Sequence, residues 1–504
     1  MWNPLLTEGR TGCSWRLLLC CVLALLTESG CGSSPSASGL TIRGTVNATA
    51  HPLVAEYQVS VPPPAQVSVE FGPDLNYGRR TWSQPVPAGG ETVRLLVAGM
   101  RANTTYHMRA RIDLRSGLTL FDADHTFTTG ALPQASFPAV TVTPAGGLTT
   151  GAGVELLSSF GTDVSAVVVD TDGAVIWYYY DPNQPASAFP IRRLTNGHYL
   201  INFGSNLREV DLAGRILREV TLDQLNTALA AGGYALQAAG IHHDVLGLTN
   251  HHWIVLVYAY RDFHDLPGYP GITSVLGDAV VDLDPNNEPV WVWQAFDHLD
   301  VNRHPFMFPD WTHSNALVYT SDGNVLVSMR HQSWVLKITY ANGTGNGDIL
   351  WRLGPDGDFT IAGGDPAQWF YNQHFPALLQ TQGSQFRLAL YDNGDMRPDS
   401  SGQPCIENNT CYSRAVIMNV DELAYTADVS WEYVPGWYSF WGGSIRVLSN
   451  GNVECDSSTV DGGYSRVIEV TAESEPQLVW QMDTSDAFLY RAYRMPSLYP
   501  GMQW

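Results

Sequence analysis

Lysine is almost absent from this sequence: Lys337 is the single example among 504 residues, and the other basic side chains are arginine. With one lysine the chain has no GxxxxGK[ST] phosphate loop, so nucleotide use through that cradle is excluded. A Schiff-base amine could only be Lys337, which lies mid-strand in SWVLKITY and reads as a solvated strand residue. Positive charge is scarce overall, with 27 basic against 49 acidic residues and a formal net charge of −22. Such a surface repels phosphate backbones and argues against nucleic acid as a partner. Long apolar runs are missing too. The run Leu17 to Leu26 is too short to span a bilayer and follows Arg10 and Arg16, so residues 1–31 read as an export signal. Helix signals are few, DQLNTALAAGG around Leu225 being the short exception.

Cysteine is equally sparse outside that leader, which holds four of the seven (Cys13, Cys20, Cys21, Cys31). Cys31 follows Ser29-Gly30, as a lipid-attachment cysteine would, although Glu28 stands where an aliphatic residue is usual. An ordinary cleaved signal is the alternative; both place the protein outside the cytoplasm, in the periplasm or at the cell surface, with membrane attachment only in the lipidated case. In an oxidising compartment Cys405 and Cys411, in the polar loop CIENNTC, are expected to form a disulfide. Cys455 is then left free and buried in a strand.

What is abundant is glycine (47), spread along the chain, together with 16 Trp, 23 Tyr and 17 Phe. Many tight turns between aromatic-rich strands indicate an all-β protein. After a Ser/Pro/Gly linker at 32–38, residues 39–131 carry short alternating strands such as AEYQVSV, ETVRLLVAG and TYHMRARIDL, which predict a small β-sandwich. Its segment NTTYHMRARI to DHTFTTG resembles the end of fibronectin type III domains, with Tyr106 as the corner tyrosine. From 140 to 504 a loose unit recurs: a hairpin, a strand with an acidic turn, then a Trp-bearing strand. Its Trp-bearing copies end at Trp177, Trp293, Trp351, Trp431 and Trp480, and the copy at Glu209 to Leu217 has none. Six copies of this kind predict a six-bladed β-propeller, each blade burying both faces against its neighbours.

The chemistry-bearing residues fall in four clusters: IHHD (241–244), DWTHSN (310–315), SMRHQS (328–333) and NQHFP (372–376). Each stands at an early point of its repeat, so in a propeller all four converge on one mouth. Histidines beside an arginine make a positive, hydrogen-bond-donating pocket suited to an oxyanion, and an imidazole can also act as a nucleophile. A metal held by His243, His313 and His374 competes with that reading, with Arg330 arguing against it because a fixed cation disfavours a nearby dication. Phe306, Phe308, Trp311, Trp334 and Trp441 could hold an aromatic ring near the mouth or serve blade packing.

The ordered motifs IHHD, DWTHSN, SMRHQS and QHFP, the DG…W repeats and the ending YRAYRMPSLYP resemble the bacterial arylsulfate sulfotransferases over residues 140–504. The resemblance implies a six-bladed propeller that moves a sulfuryl group from a phenolic sulfate to a phenol, with no nucleotide donor and no cofactor. It implies His374 as the nucleophile that carries the group as sulfohistidine and Arg330 as the clamp on the sulfate oxygens. His313 would donate to the same oxygens, and His243 would be the acid and base at the phenol oxygen. Asn315, His242 and His331 complete the candidate substrate-binding set. Strand alternation predicts that only one ring of the pair His242/His243 faces the channel, and His331 beside Arg330 reads as packing. The family is often dimeric through its N-terminal domain, so a homodimer is a further implication. A metal-dependent hydrolase or lyase and a non-catalytic surface-binding propeller are the alternative readings.

Overall fold

The computed structural model describes residues 42–504 apart from Glu91, Pro185 and Ala186. The expected export signal, Cys31 and the linker lie outside the described residues. Within them strands dominate and form eight sheets. The helix expected around Leu225 is Leu222–Ala231, started by a Thr221–Gln224 capping box.

Two sheets precede residue 130. One holds Gly44–Ala48, Ala55–Ser60 and Thr92–Val97; the other is built on Ala65–Gly72 and Thr105–Leu114. Alternation in AEYQVS and TYHMRARIDL turns every second side chain inward. Tyr57, Val69, Phe71, Met108 and Ile112 thereby share one core. The Tyr106 hydroxyl accepts the Arg101 N–H at 2.9 Å, the contact a corner tyrosine makes.

The other six sheets lie between Val140 and Met495 and are antiparallel in their main strands. Five of them have as one edge strand Ile191–Arg193, Gly240–Gly247, Ser314–Tyr319, His374–Gln382 and Ser444–Val447. The first is completed by the last strand of the chain, Phe488–Met495, which pairs with Val154–Phe160. Val140–Pro144 in turn pairs with Leu478–Thr484 in the sixth sheet. The two ends of this region thus interlock.

The recurring tryptophan has a defined place. In each sheet the last two strands slip register by one residue, and the residue just past the slip is Trp177, Trp291, Trp351, Trp431 or Trp480. Each indole N–H donates to the next sheet, at the turn before its outermost strand. The acceptors are Leu212 O, Gly345 O, Glu422 Oε2, Glu473 O and, back in the first sheet, Thr171 O, at 2.8–3.2 Å. The expected Trp293 is therefore not the equivalent residue; Trp291 is, and Trp293 makes its own bond to Gly347 O. In the second sheet the position belongs to Arg218, opposite Glu209. Arg218 bonds Asp284 O and Asn287 Oδ1 of the third sheet and lies over Trp253, so a guanidinium does what the indole does elsewhere.

Lys337 is not solvated. It is buried between Asp322 and Glu422, donating to them at 2.8 and 2.7 Å, because both neighbouring turns bring carboxylates to it. Cys405 and Cys411 are bonded, and Cys455 is free and buried. The two N-terminal sheets are fastened to the larger region by Arg101 on Asp170 (2.6 Å), His51 on Tyr178 O (2.9 Å) and Tyr499 on Leu96 O (2.8 Å).

Candidate functional site

The four motifs sit where the first strands of the third, fourth and fifth sheets, and a turn of the fourth, leave regular geometry. Register skips occur between Ile241 and Val245, Ser314 and Ala316, and His374 and Ala377. Positive φ values at His243 (48°), His313 (47°), Ser333 (52°), Asn372 (56°) and Phe375 (47°) accompany them. Bulges re-aim side chains, and each left-handed non-glycine residue costs about 1–2 kcal/mol. Their concentration on these motifs means that the surrounding packing holds the strain in place.

The bulge overturns the expectation that His242 and His243 face opposite ways. Their Nδ1 atoms lie 2.7 Å apart, so both rings are on the same side of the strand, with His242 set against Asp278 and Tyr258. Alternation needs continuous strand backbone, and His243 breaks it. His331 likewise departs from its reading as plain packing. Arg330–Gln332 is a short 3-10 turn, so Arg330 and His331 do not alternate, and Arg330 Nη1 donates to His331 Nε2 at 2.8 Å.

His374 is buried. Its Nδ1 lies 2.6 Å from Asn393 Oδ1, and Asn393 Nδ2 donates to Ser439 O and Gly442 O. With the amide so oriented, the oxygen faces His374, Nδ1 carries the proton, and Nε2 keeps its lone pair, which accepts the Gly442 N–H at 3.2 Å. Burial, and after it the charge of Arg330, hold the His374 pKa well below the usual imidazole value, opposed by the Asn393 bond. His243 is lowered in the same way, by burial first and then by His313 and His242. Burial pushes His331 down to about 3, with His313 and Arg330 adding to the effect.

Arg330 is clamped by Asp395 Oδ2 and Phe440 O, both at 2.8 Å, and lies between the rings of Phe306 and Phe440. Its Nε–H is buried and has no partner, which leaves a donor for a ligand oxygen. His313 Nδ1 is taken by Asp310 Oδ2 at 2.7 Å, and its ring stacks on His331 (4.4 Å) and meets His243 (4.7 Å). Asn315 Nδ2 holds Gln373 O at 2.7 Å, next to His374, and its Oδ1 is buried without a partner.

Several participants carry no signal of their own in sequence. Asn393 and Asp395 follow a strand in YDNGD, which reads as a turn. Asp244 joins Arg192, Arg491 and the Leu317 N–H beneath the site. Tyr490 brings its ring to 5.6 Å from His243 and 6.2 Å from His374, with Phe189 and Phe160 behind it. Of the aromatic candidates, Phe306 touches His331 and Trp441 touches Phe160, whereas Phe308, Trp311 and Trp334 belong to the core of the third and fourth sheets.

Among the described residues one trio stands close enough to hold a metal: Asp310, His313 and His331, not His243, His313 and His374. It does not fit an ion. His331 Nδ1 is engaged by Asp310 O at 2.6 Å and Nε2 by a guanidinium, so neither nitrogen is free.

Fold and site define an all-β protein of many small sheets whose buried pocket gathers four imidazoles about one guanidinium. Residues 140–491 match the family described as Arylsulfotransferase (ASST), and the chain belongs to that family. No curated protein matches it. Among solved structures, a protein of unknown function from Bacteroides caccae is 11% identical, covering 68% of this chain and 98% of its own, with a TM-score of 0.42. A streptogramin B lyase is 9% identical over 69% of this chain and 98% of its own (TM-score 0.31). A virginiamycin B lyase from Staphylococcus aureus, determined with quinupristin, is 9% identical over 69% and 99% (TM-score 0.27). Likeness at this level carries no argument about function.

Proposed function

We propose that the protein transfers a sulfuryl group from a phenolic sulfate ester to a phenol, without a nucleotide donor, through a sulfohistidine on His374. The scaffold in this reading is a six-bladed β-propeller preceded by a fibronectin type III-like sandwich, supported by six successive sheets and by two sheets sharing the core around Tyr57. Export to the periplasm or cell surface, lipid attachment at Cys31 and homodimerisation belong to the same reading and rest on sequence.

The observation that carries it is the bond from His374 Nδ1 to Asn393 Oδ1. It leaves Nε2 unprotonated in a buried pocket, beside an arginine with an unpaired donor. In the first half-reaction the Nε2 lone pair gives up the Gly442 N–H and forms the N–S bond while the S–O bond to the aryl group breaks. The phenolate departs and takes a proton at its oxygen from His243. Arg330, and His313 as an imidazolium paired through Nδ1 with Asp310, donate to the sulfuryl oxygens, where charge spreads in an in-line transfer. In the second half-reaction His243 takes the proton of the incoming phenol, whose oxygen displaces His374 from sulfur. Asn315 supports the Gln373 carbonyl, and His331 supports Arg330. A purely binding role has no use for a tautomer-fixed imidazole beside an oxyanion clamp.

Transfer from p-nitrophenyl sulfate to phenol tests this reading. Wild type is expected to release nitrophenol beyond one equivalent only when phenol is present. His374→Ala is expected to lose at least about 10³-fold, the scale seen when a covalent nucleophile is removed. Intact mass spectrometry of wild type after donor alone should show one added SO₃. Unchanged transfer in the folded His374→Ala protein would overturn the assignment.

A further inference from the structure

His243 has a difficulty in the role just given to it. A half-buried imidazole crowded by His313, His374 and Arg330 holds a proton poorly, yet the acid and base at a phenol oxygen must hold one for half of the cycle. The groups facing it are His313, His242, Tyr490, His374 and Phe189, with Arg330 farther along the pocket. None of these carries a negative charge.

The compensating charge lies behind His242. His242 Nε2 stands 3.1 Å from Asp278 Oδ1, and its Nδ1 stands 2.7 Å from His243 Nδ1. Asp278 is fully buried, and its other oxygen accepts the Thr312 hydroxyl at 2.6 Å and the Ser314 N–H at 2.5 Å. Those donors favour the carboxylate over the acid. Tyr258 packs edge-on against the His242 ring and fixes its plane. The bulge that brings the two histidines into line occupies Ile241 to Val245, where three residues face one on the partner strand. A regular strand would place His242 on the opposite face, and the line would not exist.

We propose that Asp278 and His242 form a relay that positions His243 and balances the proton it exchanges with the phenol oxygen. The inference rests on the sulfotransfer reading above. His242 Nε2 is buried 3.1 Å from Asp278 Oδ1 without a hydrogen bond of good geometry in this structure; with Asp278 ionised, a small turn of the ring lets Nε2–H donate to the carboxylate and leaves Nδ1 as the acceptor. His243 Nδ1–H then donates to that nitrogen, and His243 Nε2 is left bare toward the pocket. When Nε2 takes the phenol proton, the added positive charge is shared across the two rings and opposed by Asp278. When the next phenolate leaves, Nε2 returns the proton and the starting arrangement is restored. No proton is gained or lost over the two half-reactions. The logic is that of a carboxylate behind a catalytic imidazole, extended by one ring. His242 and Asp278 are positioning residues here, since neither touches the substrate oxygen.

The test is a comparison of leaving groups in the first half-reaction. Nitrophenolate departs with little need of a proton, whereas unsubstituted phenolate needs one. For His242→Asn and Asp278→Asn, the loss of burst rate is expected to be about 100-fold larger with phenyl sulfate than with p-nitrophenyl sulfate, the lower end of what a general acid contributes. In a His243→Ala background His242→Asn should add no further selectivity between the two donors. The pH profile with phenyl sulfate should also lose its acidic-limb dependence in both variants. Equal losses on the two donors would mean that the pair only holds the fold together and would overturn the relay. Because nitrophenyl sulfate still reports His374 chemistry, a burst with that donor in the variants separates loss of the relay from loss of the fold. Absence of any burst in wild type would instead sink the sulfotransfer reading itself.

Discussion

At the scale of single residues, the pocket is governed by what stands behind each catalytic candidate. Asn393 sets the tautomer of His374, and Asp395 meets Arg330. Burial raises Asp395 from its ordinary value of 3.8 to about 7, against the pull of Arg330 and the Tyr438 hydroxyl. Below that pH the carboxyl is neutral and Arg330 keeps its full charge for a sulfate ester; above it the carboxylate competes. The KM for the donor is therefore expected to rise by roughly tenfold as pH passes through about 7, the ratio that one unit of coupling between two charges produces. Steady-state kinetics of Asp395→Asn should show a KM that no longer follows pH in this window. Stability has the matching sign. The folded carboxyl holds a proton that the unfolded chain releases from its ordinary value upward, so stability falls as pH rises between about 4 and 7 and is level above. The histidines and Arg330 were legible in sequence because imidazole and guanidinium are conspicuous in strands. Asn393 and Asp395 were not, since in YDNGD they are the residues any turn would use.

At the scale of elements, the hairpin Trp253–Leu266 and Tyr269–Leu283 runs on past the sheet that contains it. Its partners on either side end at Tyr258 and Ala279, while its own pairing continues to Leu266 and Tyr269. One face of the extension is covered, with Phe263 on Phe296 and Arg261 on Asp297. The other face begins with Tyr258 and Asp278 at His242 and continues to Tyr260 and Ile272, which are 60% and 67% exposed. On the sulfotransfer reading this face borders the acceptor. Tyr260→Ser combined with Ile272→Ser is expected to raise KM for extended aryl acceptors by about tenfold while leaving that for phenol nearly unchanged, as loss of apolar contact area would. A panel of acceptors of increasing size checks it. Paired strand was not legible in this stretch of sequence because Gly268, Gly271 and two prolines interrupt the alternation. The paired histidines failed for the opposite reason, a regular pattern interrupted by a bulge with no sequence mark.

At the scale of the whole molecule, five indoles and one guanidinium fasten each sheet to the next. Trp480, fully buried, makes the bond that returns to the first sheet. Trp480→Ala is expected to cost about 3–5 kcal/mol, the range for a buried Trp or Phe truncated to Ala, measurable by urea unfolding. Arg218 shows why the repeat was legible only in part: five copies advertise themselves by tryptophan, and the sixth reaches the same carbonyl with different chemistry. The interlock of Val140–Pro144 with the sixth sheet, and of Phe488–Met495 with the first, could not be read locally, because its partners are separated by more than 300 residues.

That interlock also has a bearing on time. Tyr490 and Arg491 lie on the strand that closes the first sheet, and they reach the pocket through His243 O, Asn315 O and Asp244. While the chain is being made, His243, His313, Arg330 and His374 emerge well before the strand that completes their surroundings. An interrupted or partly delivered polypeptide therefore carries every catalytic candidate and still lacks the pocket that would make them useful. On the sulfotransfer reading, activity is expected only of chains that include Phe488–Met495.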